Sequence, residues 1–399
     1  MLNLRGNDKV WEKMGKVSGT RLKVLLVGPY PPPYGGLAVQ IYEWQRYLTQ
    51  VGSCECVVLN IGELRTAKIT GCIPVKGPWD FVKKVSQFAR QGYLVHLFTN
   101  GHNLKSWLCS LFCALAGVGH GRRTILAFGS GHAPDYVVNV GSLVRLLIRA
   151  TVVLGGRLIC RNERMRQALV RFGAAPHKVA IVPGFLGLNS INPAPVPVPI
   201  QAFLKDHFPV LGATVSVPKR GTLEPEYGVP LLLAGLEELR NAYPRVGLVL
   251  VGPRQDVECQ INGFGSIRDQ VMFTGPLPHD AVLGVMKSLT AFVRPTYFDG
   301  DSNSVREALA LGVPVVASDT DYRPEGVITF RKGEVQDLVA KLEHTLNHIG
   351  EVSAKAGEGN PANTAGRLLS LYNELVGGTD EHQQDESVAK GNVDERAER

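Results

Sequence analysis

Short continuous apolar runs, separated by amphipathic stretches of helical length, decide the fold class of this 399-residue chain. KVLLVG (residues 23–28), CVVLNI, LVHLF, TILAF, RLIC and KVAIV show no period-two alternation, so strands built from them need cover on both faces. Between them lie helix-like segments at LAVQIYEWQRYLTQ (37–50) and around 79–91, 104–117, 139–152 and 163–172. This interleaving predicts a parallel sheet with helices on either side. The pattern breaks at PGFLGLNSINPAPVPVPI, which is Pro-rich, lacks a period and reads as a linker. It then restarts with ATVSV (213–217), a helix at 229–243, VGLVLVG (246–252), VMFTG, a helix from His279 to Lys287, AFVRP, a short helix carrying Glu307, PVVAS and VITF. Two helices, at about 334–347 and 363–376, close the pattern. The fold class expected is therefore α/β, with two doubly wound Rossmann-like halves facing across a cleft. Ligands of such sheets bind beyond the carboxyl ends of the strands. The expected division is an N-terminal extension (1–20), a first domain (21–190), a linker (191–210), a second domain (211–350), a C-terminal closing helix (351–378) and an acidic tail (379–399).

Charge and cysteine content narrow the function classes. The chain carries +7 overall and −4 over Thr379 to Arg399, which leaves +11 on the body. A basic body suits phosphorylated substrates or anionic lipid headgroups. No aromatic-plus-basic recognition motif accompanies it, so nucleic acid is not an expected partner. The seven cysteines form no CxxC pair and no zinc-spaced set with histidine, which suits thiols in a reducing cytoplasm. The first residues are polar and contain no apolar signal core. The longest apolar run, Trp107 to Val118, is about a dozen residues, whereas a bilayer span takes roughly 20. The expected setting is cytoplasmic, with peripheral contact at a membrane as the variant.

Residues 294–318, RPTYFDGDSNSVREALALGVPVVAS, carry the most chemistry. A strand runs into a polar turn with Asp299, Asp301, Ser302, Asn303 and Ser304, and a helix follows with Glu307 inside it. The start of that helix aims backbone N–H groups beyond the strand, where they suit phosphate. Carboxylates on the same turn suit hydroxyl donors instead, so the implied ligand has phosphates and a sugar. Ser304-x-x-Glu307 also spells a capping box, which would make Glu307 structural. After the first strand, GPYPPPYGG stiffens a loop with prolines, and Gly35 and Gly36 allow close approach of a ligand to the backbone. GSGHAP and GFGSIR lack the third glycine of a dinucleotide fingerprint, so a nicotinamide site is not expected.

Together these pieces resemble the family 4 retaining glycosyltransferases of the GT-B fold, of the bacterial surface-polysaccharide type, over residues 21–377. The resemblance is carried by the proline-rich GG turn, by RLICRNERMRQALVRFG…KVAIVPGFL, by VGLVLVGP, and by PTYFDGDSNSVREALALGVPVVAS. The last looks like the family's Glu-x7-Glu signature, with Asp299 at the first acidic position and Glu307 at the second. The resemblance implies that Glu307 holds the ribose of a nucleotide, that Asp299 lies near the transferred sugar, and that Ser302, Asn303 and Ser304 hold the diphosphate and sugar hydroxyls. It also implies a role for His132, in FGSGHAPDY, beside that sugar; His102 is the rival, and a surface loop position is the plain reading of either.

Two departures stand out. The first acid is one methylene shorter than the family's glutamate. The family's G-R-L-x3-K-G loop reads GTLEPEYG (221–228) here, with Thr222 and Tyr227 in place of Arg and Lys. Lys219 and Arg220 are the expected substitutes, with Arg254, Arg294 and Arg306 as further cations. Asp299-Gly-Asp301 and Asp319-Thr-Asp321 spell a DxD, but as turn acids of a two-domain fold they call for no metal. The helix around GSLVRLLIRATVVLGGR spaces Arg145, Arg149 and Arg157 among apolar residues, which suits an anionic membrane or plain packing on the sheet.

The function implied is transfer of a sugar, with retention of configuration, from a UDP- or GDP-linked donor to a saccharide or lipid-linked acceptor. No cofactor and no metal are expected. A non-catalytic scaffold of the same fold, and a nucleotide-sugar epimerase, are the alternatives.

Overall fold

The computed structural model describes residues 22–51, 54–62, 69–187, 191–215, 225–252, 265–358 and 364–377. The N-terminal extension, the acidic tail, Lys219, Arg220 and Arg254 lie outside the described residues.

The first half contains β1 (Leu22–Gly28), α1 (Gly36–Val51), β2 (Cys54–Asn60), β3 (Ile73–Pro74), α2 (Pro78–Arg90) and β4 (Leu94–Thr99). It continues with α3 (Leu104–Gly117), β5 (Thr124–Phe128), α4 (Ala133–Asn139), α5 (Ser142–Leu154), β6 (Arg157–Cys160), α6 (Glu163–Arg171) and β7 (Val179–Ile181). Its seven strands are ordered β3-β2-β1-β4-β5-β6-β7, and every pairing is parallel. The second half runs through α7 (Val198–Asp206), β8 (Val210–Thr214), α8 (Val229–Leu239), β9 (Gly247–Val251), β10 (Val271–Phe273), α9 (His279–Lys287) and β11 (Ala291–Arg294). After it come α10 (Asn303–Ala310), β12 (Val315–Ser318), β13 (Val327–Phe330), α11 (Val335–Asn347) and α12 (Ile349–Glu358). Six parallel strands, ordered β10-β9-β8-β11-β12-β13, form the second sheet. Each sheet reverses its strand order once, at β1/β4 and at β8/β11, and the loops leaving those strands open a crevice at the carboxyl edge.

Both sheets are covered on both faces, as the continuous apolar strands require. Phe81, Trp107 and Ile148 pack one face of the first sheet, and Ile41, Trp44 and Phe98 the other. Two expectations change at the element level. The Pro-rich stretch 191–210 is not wholly linker: α7 forms within it, Ile200 and Phe203 dock on the second half's core, and β8 already starts at Val210. A proline at N1 or N2 of α7 lacks only an N–H that a helix start leaves unpaired anyway. The helix expected at 139–152 forms as α5 with Gly141 as its N-cap, and a further short helix, α4, precedes it.

The final helix, α13 (364–377), leaves the second half and packs on the first. Leu368, Tyr372 and Leu375 join the cluster of Trp44 and Phe98. The Tyr372 hydroxyl accepts from Trp44 Nε1 at 2.6 Å and meets His96 Nδ1 at 2.7 Å. Burial lowers the His96 pKa to about 3, so the ring is neutral and Nδ1 can accept the phenolic proton. Replacing Tyr372 by Phe strands two buried polar groups, and the expected loss is about 1–3 kcal/mol of stability. Urea unfolding of the Tyr372→Phe protein checks this; an unchanged midpoint would show that the tyrosine hydroxyl does not anchor the helix.

Candidate active site

The two carboxyl edges enclose a cavity of about 390 Å³. The first half contributes Gly35, Gly36, Gln40, Asn100, Gly129 and Arg161 to its wall. The second half contributes Tyr227, His279, Arg294, Asp299, Asp301, Ser302, Asn303, Ser304 and Glu307. Of the site positions expected from sequence, Lys219, Arg220 and Arg254 lie outside the described residues, and His132, His102 and Arg306 are absent from this wall.

The turn between β11 and α10 is held by buried ion pairs. Asp299 Oδ2 accepts from Arg294 Nε at 3.1 Å, Arg323 Nη1 at 2.9 Å and Thr296 Oγ1 at 3.2 Å. Burial disfavours the Asp299 charge, but Arg294 and Arg323 outweigh it and hold the carboxyl below its usual range. Asp301 takes two contacts from Arg306 Nε, at 2.7 and 3.0 Å. There burial dominates and pushes the carboxyl up. Arg294 and Arg306, expected as spare cations for a diphosphate, are thus already paired. Arg323, which sequence reasoning passed over, completes the Asp299 site.

At the start of α10, Ser302 is the N-cap and its side chain caps no backbone N–H; its Oγ lies 3.1 Å from Ser304 Oγ. The capping-box reading fails, because Ser304 lies inside the helix and Glu307 reaches elsewhere. Glu307 Oε1 accepts from His279 Nε2 at 2.9 Å, while His279 Nδ1 lies 3.4 Å from Glu43 Oε1 on α1 of the other half. Glu43 is also paired with Arg46 at 2.9 Å. Burial opposes the His279 charge, but Glu307 and then Glu43 prevail and raise its pKa to about 10. A protonated imidazole therefore bridges two buried carboxylates across the cleft. Nothing in the sequence pattern marks His279 as more than the first residue of a helix.

Arg161, also passed over, is the first half's cation on the wall. It sits between β6 and α6, with Nη1 on the Val182 carbonyl at 2.7 Å and Nη2 on Gln40 Oε1 at 2.6 Å. Among the described residues no carboxylate lies within ion-pair distance of it. Burial lowers its pKa to about 10, so it remains charged at neutral pH.

The halves touch closely around these groups. A Cβ on Gly131 would lie 2.6 Å from the Asp299 carbonyl carbon, and one on Gly184 would lie 2.1 Å from Asn303 Oδ1. Gly35 and Gly36 are the opposite case: a Cβ on either meets nothing within 4 Å, so both leave open space at the cavity wall. His132 spends Nε2 on Glu226 at 3.0 Å and packs on the Phe298 ring, 4.1 Å between centroids. His102 bonds Ser130 at 2.8 Å. Asp319 accepts from the Lys332 N–H at 2.7 Å and Asp321 pairs with Arg164 at 2.9 Å, so the second DxD is taken up away from the cavity wall.

Residues 220–348, which lie in the second half, match the family described as Glycosyl transferases group 1. The chain is 26% identical over 241 residues to 2-deoxystreptamine glucosyltransferase of Streptomyces kanamyceticus, covering 54% of this chain and 60% of that protein. It is 22% identical over 375 residues to a component of the phosphatidylinositol N-acetylglucosaminyltransferase of Arabidopsis thaliana, covering 88% and 79%. The chain thus spans about three-fifths of the length of the first of these relatives. Among solved structures, Anabaena Alr3699/HepE in complex with UDP-glucose superposes with a TM-score of 0.64 at 16% identity, over 90% of this chain and all of that one. The fold is GT-B.

Two outcomes are expected. Because the His279 pKa is raised in the folded state, its contribution to stability is complete below the unfolded value of about 6.5 and is lost as pH rises through about 10. The urea midpoint should therefore fall between those limits in the parent and stay flatter in His279→Ala; parallel curves would show that the bridge is not charged. Asp299→Ala leaves two guanidinium groups buried without their partner and should cost about 3–5 kcal/mol, read from the same unfolding curves.

Proposed function

We propose that this chain transfers a glycosyl unit from a nucleotide-sugar donor, linked to UDP or GDP, to a saccharide or lipid-linked acceptor, with retention of configuration. The observation that carries this reading is the convergence of Glu307, the uncapped start of α10 and the open Gly35–Gly36 turn on one cavity built from both halves. The donor lies on the second half. Its ribose hydroxyls donate to Glu307, and its diphosphate meets the N–H groups at Ser302–Ser304, where the helix dipole favours an anion. Arg161 adds positive charge from the facing half, in place of the Arg and Lys that Thr222 and Tyr227 displace. Tyr227 itself packs its ring 5.4 Å from the Arg294 guanidinium, which keeps that cation at the wall.

In the reaction the bond between the anomeric carbon and the phosphate oxygen breaks, and its electron pair stays on the diphosphate. The acceptor oxygen bonds to the same face of that carbon, and its proton passes to the departing phosphate oxygen. What the protein supplies is neutralisation of the growing phosphate charge and exclusion of water from the oxocarbenium-like sugar. The sugar lies against the Asp299 turn and the Gly35–Gly36 loop. His132, expected beside the sugar, is bonded to Glu226 across the cleft at the rim of the cavity. No metal ion is needed, because Asp299 and Asp301 already have guanidinium partners. Synthesis of a cell-surface polysaccharide or glycolipid, by a cytoplasmic protein working at a membrane, is the setting this reading favours.

Glu307→Gln should weaken nucleotide-sugar binding roughly ten- to hundredfold, the value of charge-assisted hydrogen bonds to two hydroxyls. Calorimetric titration with UDP- and GDP-sugars measures it and identifies the base. Full affinity in the variant for every nucleotide that the parent binds would remove Glu307 from the donor site and overturn the proposal.

A further inference from the structure

Three neighbouring helices on one face of the first sheet, α2, α3 and α5, turn apolar side chains outward. On α3 the exposed stripe is Leu104, Leu108 and Phe112, one helical turn apart, while Trp107 and Cys113 on the opposite side are buried. On α5, Leu143 is 84% exposed and Leu146 64%, and Trp79 in the first turn of α2 is 87% exposed. An isolated exposed leucine needs no explanation, but a contiguous face of this kind marks a contact surface.

The charge around this face is predominantly positive, and on α2 the one acid, Asp80, is bound to Lys84. From Gly101 to Leu154 the chain holds Lys105, Arg122, Arg123, Arg145 and Arg149 against one acid, Asp135, which is bound to Arg164. Lys105, Arg145 and Arg149 are exposed and, among the described residues, have no carboxylate within ion-pair distance. Arg145 folds back onto the carbonyls of Val138 and Val140 at 3.0 and 2.9 Å, which places its guanidinium beside exposed Val138 at the start of α5. Apolar side chains ringed by such cations, with an aromatic at the edge, match an anionic bilayer surface: the hydrocarbon takes the leucines and the headgroups take the arginines. A protein partner would have to present acids to these cations while filling the spaces between three separate helices, whereas lipid conforms to any such surface. No helix among the described residues is long and apolar enough to cross a membrane, so the contact would lie in the interface plane.

Topology sets this face beside the cleft. In each strand–helix–strand unit the helix starts at the carboxyl edge of the sheet, where the cavity lies. Asn103 caps α3 directly after His102, which bonds Ser130. Two residues beyond Ser130, His132 reaches Glu226 of the other half. Leu104 therefore lies one turn from the cleft rim, and α5 starts after only the short helix α4.

We propose that the outer face of α2, α3 and α5 docks on an anionic phospholipid bilayer and holds the cleft mouth at its surface, so that the acceptor is lipid-anchored and enters from the membrane side. The second half of this proposal rests on the transfer reading above; the docking itself does not.

The test is flotation of the full chain with phosphatidylcholine vesicles, with and without phosphatidylglycerol, at low and at molar salt. The parent should float only with the anionic vesicles, less so in high salt. Leu143→Ser with Leu146→Ser should lower that partition roughly tenfold or more, and Arg145→Gln with Arg149→Gln should remove most of its salt dependence. Both variants should keep the parent's affinity for its nucleotide sugar by calorimetry, which also reports that they fold. Flotation that is absent, or unchanged in both variants, overturns the proposal. So does concentration-dependent self-association that the leucine variant abolishes, since a second copy would then cover the face. A chain that floats as expected yet binds no nucleotide sugar would remove the transfer reading with its acceptor corollary and leave the docking face standing.

Discussion

A single carboxylate, that of Asp299, organises the centre of this molecule. Buried charge is tolerable only when paired and hydrogen-bonded, and Asp299 meets that condition through two guanidinium groups, one at a strand end and one on a loop. Arg294 ends β11 and Arg323 follows β12, so their convergence ties the carboxyl edges of adjacent strands to one point. The turn so fixed delivers Ser302 as the cap of α10 and sets the rotation that brings Glu307 to the cavity. Asp301 with Arg306 and the Tyr322 ring supports the same turn from its other side.

Closure of the two halves depends on matching this rigid turn with backbone that has no side chains in the way. Gly131 and Gly184 lie where the Asp299–Asn303 turn presses in, and the Asn162 side chain donates to the Gly300 carbonyl at 3.4 Å. His279 adds an electrostatic link, because its cation satisfies a carboxylate from each half at once. A ligand that competes for Glu307 would therefore act on the contact between halves as well as on its own site. Binding and closure share one group.

The strands were legible because a doubly covered sheet demands continuous apolar runs, and KVLLVG, TILAF and RLIC have no other use. The signature turn was legible because Asp299, Ser302–Ser304 and Glu307 are close in sequence, so one local unit displays them together. What escaped was assembled across distance. Arg161 and His279 owe their importance to Gln40, Glu43 and Glu307, which lie far away in the chain, and no local spacing announces such meetings. The helix α7 escaped because its prolines fall where a helix start tolerates them, so composition alone argued for a linker. Glu307 was set apart from a capping box only when its partner, His279, was in view. The partners of His132, Glu226 and Phe298, also lie far from it in the chain.

The return of α13 to the first sheet has a mechanical consequence. The chain passes between the halves twice, once before α7 and once after α12, and both passages are anchored by buried side chains at either end. Two tethers restrict a pair of bodies far more than one does.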